Sequence, residues 1–129
     1  MQISRATEYA LLGLVHLARE KDHTASTREI AEAERVSPYF LRNIFQKLRD
    51  AGLVVANYGS GYSLKKSPRL ISLKMVVEAV EGEVHLHDCL RQKDANCKYS
   101  QNCKIIHKWA MLQRKFLGEL QKVRLNELV

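Results

Sequence analysis

STREIAEAERVSPYFLRNIFQKLRDAGLVVANYGSGYSLKK, residues 26–66, decides the fold. Ser26 stands three residues before Glu29, the spacing of a capping box, so a short helix starts here and turns Ile30, Ala31 and Ala33 inward. Ser37-Pro38 then supplies a second N-cap followed by Pro at the first helical position, where its missing N–H costs nothing. Leu41, Ile44, Phe45 and Leu48 recur at helical spacing, and Gly52 is the stop. Two short helices joined by a tight turn make a helix-turn-helix unit. Leu53–Tyr58 and Tyr62–Leu64 are β-type runs bracketing Gly59-Ser60-Gly61, which predicts a hairpin directly behind it. A helix-turn-helix followed by a two-stranded wing is a winged helix, and winged helices bind double-stranded DNA.

What the second helix does with its outer face follows from what its core positions leave over. Tyr39, Arg42, Asn43, Gln46, Lys47 and Arg49 are hydrogen-bonding or cationic side chains suited to base edges and phosphates. Charge is distributed accordingly. Residues 35–69 carry seven of the 21 Lys and Arg but one of the 14 Asp and Glu, so most of the net +7 falls on this segment. Tyr39, Arg42, Asn43 and Gln46 are the candidate base readers; Arg35, Lys47, Lys65 and Lys66 are the candidate phosphate contacts.

Outward from this unit, residues 5–20 are almost continuously apolar from Tyr9 to Ala18, with Ser4 or Thr7 as cap, and read as a helix buried on most sides. His16 lies in that run and reads as a core histidine. Ser72 caps a further helix through Met75, Val76, Val77, Ala79 and Val80, ending at Gly82. From Lys104 to about Lys122, Ile105, Trp109, Leu112, Phe116, Leu120 and Val123 recur at steps of three and four. Such a helix spans roughly 28 Å, the width of a small domain, so part of its apolar face is expected to pack against a second copy in a homodimer. The fold class is therefore mainly α with a small β-wing. Residues 1–82 form the DNA-binding domain, 83–103 an aperiodic segment, and 104–129 a dimerisation helix with its tail.

The aperiodic segment holds the chain's three cysteines, Cys89, Cys97 and Cys103. An odd number of thiols makes a poor disulfide framework but a reasonable three-point grip on a soft metal centre. His107 follows four residues after Cys103, and His85 and His87 precede Cys89, as further ligand candidates. The series Cys89-x7-Cys97-x5-Cys103-x3-His107 has the ligand set of a Cys3His zinc site, such as binds single-stranded RNA, although Tyr99 is its only aromatic residue. Cysteines acting through oxidation as a cluster-free redox sensor are a third reading. Catalysis is excluded on the motifs: there is no Cys-x-x-Cys, no evident nucleophile and base pairing, and no phosphate-cradling Gly loop. No small-molecule substrate is expected. No apolar run approaches the roughly 20 residues of a membrane span, and no secretory pattern opens the chain, so a cytoplasmic protein is expected.

Taken in order, MQISRATEYAL (1–11), SPYFLRNIFQKLRDAGLV (37–54), GSGYSL (59–64), ISLKMVVEAVEG (71–82), the three cysteines, Trp109 and the closing VRLNELV (123–129) resemble the Rrf2 family of bacterial regulators over essentially the whole chain. The resemblance implies a homodimeric transcription factor whose cysteines, here Cys89, Cys97 and Cys103, bind an iron-sulfur cluster that changes DNA affinity. 2Fe-2S is favoured over 4Fe-4S, with zinc as the alternative metal. In some members the fourth ligand is a carboxylate near the start of the first helix, supplied by the partner subunit; Glu8 has that position here. In another it is a His three residues after the last Cys, against four for His107. This chain also departs from the family in its wing, where Asn57-Tyr58-Gly59-Ser60-Gly61-Tyr62 replaces an Arg followed by a longer Gly-rich turn, and in its long first cysteine spacing.

Overall fold

The structure, a computed structural model, describes residues 3–59, 61–90 and 103–129. Ser60 in the wing turn, and Cys97 with Tyr99 in the cysteine segment, lie outside the described residues.

Helix α1 (Arg5–Arg19) begins because Ser4 Oγ accepts from the Thr7 N–H, and buries Thr7, Ala10, Gly13, Leu14 and Leu17. Strand β1 (Thr24–Ala25) follows, then α2 (Thr27–Glu34), capped by Ser26 Oγ on the Glu29 N–H, and α3 (Pro38–Asp50), capped by Ser37 Oγ on the Phe40 N–H. Leu41, Ile44, Phe45 and Leu48 are the buried positions of α3, the set its spacing predicts. Strands β2 (Val54–Asn57) and β3 (Gly61–Leu64) form the wing in antiparallel register, Val54 opposite Leu64 and Asn57 opposite Gly61. Helix α4 (Leu73–Glu81) starts at Ser72 and stops at Gly82, whose φ of +80° suits glycine. Helix α5 (Lys104–Lys122) starts at Cys103.

Core packing places α1 behind the helix-turn-helix. Gly13 lets this happen: a Cβ there would stand 2.7 Å from the Phe45 ring. Phe45 is fully buried and its ring also meets Tyr62 of the wing at 5.0 Å between centroids. One aromatic side chain thus ties α1, α3 and the wing together, by burial that contributes about 1.5–3 kcal/mol.

Three features differ from the sequence expectations. The wing has a third strand, since β1 pairs with β3 in the order β1-β3-β2, Thr24 opposite Ser63 and Ala25 opposite Tyr62. Gly61 permits it, because a side chain there would run into the Ala25 carbonyl and Ser26 Cα. Ala33 is exposed rather than inward, as α2 is too short to bury more than Ile30 and Ala31. The chain end also folds back: Ser72 bridges Arg124, the Leu73 N–H donates to the Val123 carbonyl at 2.9 Å, and the Leu125 N–H donates to Ile71 at 2.8 Å. Leu125 is buried by this return.

Candidate functional site

The candidate reading surface is the outer face of α3. Tyr39, Arg42, Asn43, Gln46 and Lys47 are all exposed, Tyr39 at 71%. On the inner side the start of α3 is braced against α1, where Tyr9 and Phe40 pack edge to face at 5.6 Å. A rigid backing with a polar, cationic front is what a helix entering a DNA groove requires.

Arg35 ends α2 in the left-handed conformation, φ 56° and ψ 46°. An Arg there costs about 1–2 kcal/mol that Gly would not. The turn keeps it nonetheless, and the side chain stands exposed at the entry to α3. Strain of this kind collects where a side chain is needed. Lys65 is exposed and Lys66 half-buried just past the wing, with the Lys65 N–H held by the Leu53 carbonyl at 3.0 Å.

Two groups escaped the sequence reading. Thr27 and Arg28, in the first turn of α2, line a groove of about 450 Å³ with Ala31, Glu32, Val36, Pro38 and Arg42. That groove lies between the two helices of the helix-turn-helix, beside the reading face. The capping box at Ser26 could have flagged it, because it locates a helix N-terminus next to the turn. The second is the Val80 carbonyl, as a partner for Lys47. The lysine Nζ reaches back to it in the last turn of α4, at 3.4 Å, which a sequence pattern does not reveal.

Cys89 and Cys103 are half-buried at the two ends of the cysteine segment, Cys89 in a short 3-10 turn (Asp88–Leu90) and Cys103 at the N-cap of α5. The Cys103 side chain makes no capping hydrogen bond to α5, and Cys103 stands at the end of the helix that carries its partial positive charge. Residues before Cys89 run along α5: the Leu86 N–H donates to Gln113 Oε1 at 2.9 Å, and the His87 ring stacks over Trp109 at 6.3 Å. His87 Nδ1 accepts the Cys89 N–H at 3.2 Å.

Among the ligand candidates, Glu8 and His107 are exposed, whereas the His85 side chain is 11% exposed. Glu83 Oε2 lies 3.4 Å from His85 Nε2, and His85 Nδ1 is buried with no hydrogen-bond partner among the described residues. Among the described residues no group of three or more His, Cys, Asp or Glu converges as a metal site. Cys103 at the N-terminus of α5, Cys89 and the buried His85 imidazole are donors of the kind that a soft metal centre takes. His16, read as a core histidine, has Glu20 at 3.5 Å and Glu34 at 3.6 Å. Among the described residues no helix is long and apolar enough to cross a membrane.

Comparison with known proteins gives one answer at three levels. The family model described as Rrf2, iron-dependent transcriptional regulator, matches residues 3–129. A Haemophilus influenzae protein, provisionally named an HTH-type transcriptional regulator, is 31% identical, over 100% of this chain and 87% of its own length. The transcriptional regulator IscR of Photobacterium profundum is 29% identical over 100% of this chain and 76% of its own. Among solved structures, CymR, the global cysteine regulator of B. subtilis, superposes with a TM-score of 0.77 at 23% identity, covering 99% of this chain and 95% of that one. IscR of T. potens gives 0.71 at 21%, covering 99% and 85%. At such identities the two structures speak for the fold.

Proposed function

Because the chain belongs to the Rrf2 family of iron-dependent transcriptional regulators, we propose that it is a homodimeric, cytoplasmic DNA-binding regulator whose operator affinity is set by an iron-sulfur cluster on Cys89, Cys97 and Cys103. The observation that carries this reading is the placement of the two described cysteines. They bound the segment that joins α4, packed against the reading helix, to α5, which carries the exposed apolar stripe.

On DNA, the face of α3 enters the major groove, with Tyr39, Arg42, Asn43 and Gln46 at base edges. Arg35, Lys65 and Lys66 pair with phosphates on either side, and the wing lies along the backbone. Ile105, Trp109 and Leu112, which are 65%, 38% and 45% exposed, form the seam with the second copy. A two-fold dimer then presents two reading helices to a two-fold operator.

A bound cluster supplies a centre whose occupancy and charge respond to oxidants, nitric oxide and iron-sulfur supply. Three thiolates and one weaker ligand hold it less firmly than four thiolates would. The fourth ligand is one of Glu8, His107 and His85. Glu8 precedes Tyr9, whose ring braces Phe40 at the start of α3, so ligation there acts directly on the reading helix.

Anaerobic purification, with iron, sulfide and zinc analysis, tests the centre. Iron and sulfide in a coloured protein support the cluster; a colourless protein with one zinc per chain supports the Cys3His alternative. A duplex selected from a random pool by the wild-type protein is then titrated in both cluster states. Unequal affinities are expected, and equal ones remove the switch. Substituting Glu8, His107 and His85 singly, and following visible absorption, identifies the fourth ligand.

A further inference from the structure

The last turn of α4 is where three parts of the molecule meet. Lys47 Nζ, from the reading helix, donates to the Val80 carbonyl at 3.4 Å. The Ser4 N–H, at the N-cap of α1, donates to Glu81 Oε1 at 2.9 Å. Gly82 then turns the chain out of the helix, its N–H still bonded to the Glu78 carbonyl at 2.9 Å, and the segment leading to Cys89 begins. Val80 is buried and packs in the same core as Phe45 and Leu48 of α3.

Carbonyls of a helix's last turn have no partner within the helix and carry its partial negative charge. An ammonium placed on one gains both a hydrogen bond and a favourable field. A lysine so engaged is drawn away from DNA phosphates. We propose that Lys47 is a positioning residue and not a phosphate contact: with Glu81, it fixes α3 and α1 on the last turn of α4, through which the cysteine segment acts on the reading helix. The second half of this statement rests on the cluster-switched reading above.

Phosphate contacts and positioning contacts leave different marks. A Lys that neutralises a phosphate contributes to every sequence alike, and its removal lowers the slope of log affinity against log salt by about 0.9. A Lys that only orients the helix contributes where base contacts are made, and its removal leaves that slope alone.

The test is Lys47→Met, which keeps the apolar stem and removes the donor, measured on the wild-type-selected duplex and on the same duplex with its sequence scrambled. Expected are a loss of about five- to tenfold on the selected duplex, the scale of one hydrogen bond, no change on the scrambled one, an unchanged salt slope and a melting temperature lowered by a few degrees, since the bond belongs to the folded subunit. Lys47→Arg, which restores a donor, is expected to recover most of the affinity. Equal losses on both duplexes with a slope reduced by about 0.9 would make Lys47 a phosphate contact, and no loss on either would make its bond idle; each overturns the proposal. In Lys47→Met and Glu81→Gln the ratio of cluster-loaded to cluster-free affinity is expected to move toward one. A wild-type ratio already at one sinks the switch while leaving the two-duplex comparison to judge Lys47.

Discussion

Helices α1 and α5 are both long and both carry an apolar stripe, yet they sit in opposite circumstances. Over 15 residues α1 buries Thr7, Ala10, Gly13, Leu14 and Leu17, while over 19 residues α5 buries Leu120. Ile105, Trp109 and Leu112 lie open on α5, whereas the stripe of α1 is spent on α3, α4 and the wing. Amphipathic spacing therefore says that a helix has something to cover without saying whether the cover belongs to the same chain. On α1 it does; on α5 the exposed Ile105, Trp109 and Leu112 are what the proposed second copy would cover.

The comparison breaks most visibly at Phe45. Phe45→Ala should cost about 3–5 kcal/mol in urea unfolding, because the ring fills the space that Gly13 leaves and also supports the wing; a cost below 1 kcal/mol would mean that α1 and α3 are not packed as described. Leu112→Glu tests the other side. It should leave the melting temperature of the subunit near that of wild type while weakening the dimer about 100-fold, about 2.7 kcal/mol, in sedimentation equilibrium. A subunit that unfolds, or a mass that does not change, would contradict the proposed seam.

Smaller effects belong to the reading unit. Ser26→Ala removes the cap on Glu29 and should lower stability by about 1 kcal/mol, with dimerisation untouched. Arg35→Gly should change stability in the opposite direction, by about +0.5 kcal/mol, by relieving the left-handed backbone at that position. The same variant should lower the salt slope of DNA binding by about 0.9. Gain of stability with loss of affinity in one substitution would mark Arg35 as held in place for DNA.

Much of this was legible in the sequence because the signals are local. Ser4, Ser26, Ser37 and Ser72 each cap the helix they announce, and the buried positions of α3 are those of its periodicity. What was missed depends on distant segments. Strand β1 is two residues long and exists because β3 offers an edge beside Gly61. Similarly, the return of residues 123–125 onto 71–73 has no periodicity to betray it. At the candidate site, the exposed polar face of α3 was legible from composition, but the reach of Lys47 to Val80 and the burial of His85 follow from packing between elements. Cys97 lies outside the described residues, so the cysteine triad is read from spacing and family alone.

The fold-back of the chain end has a mechanical side. Bonds from Leu73 to Val123 and from Leu125 to Ile71 pin one end of α5 to the winged-helix body, while Cys103 sits at the other end. The helix, a rod of roughly 28 Å, is held again midway, where the Leu86 N–H donates to Gln113 Oε1. The chain end thereby acts as a clasp that closes residues 71–125 into a loop whose two ends, Ile71 and Leu125, lie in the core.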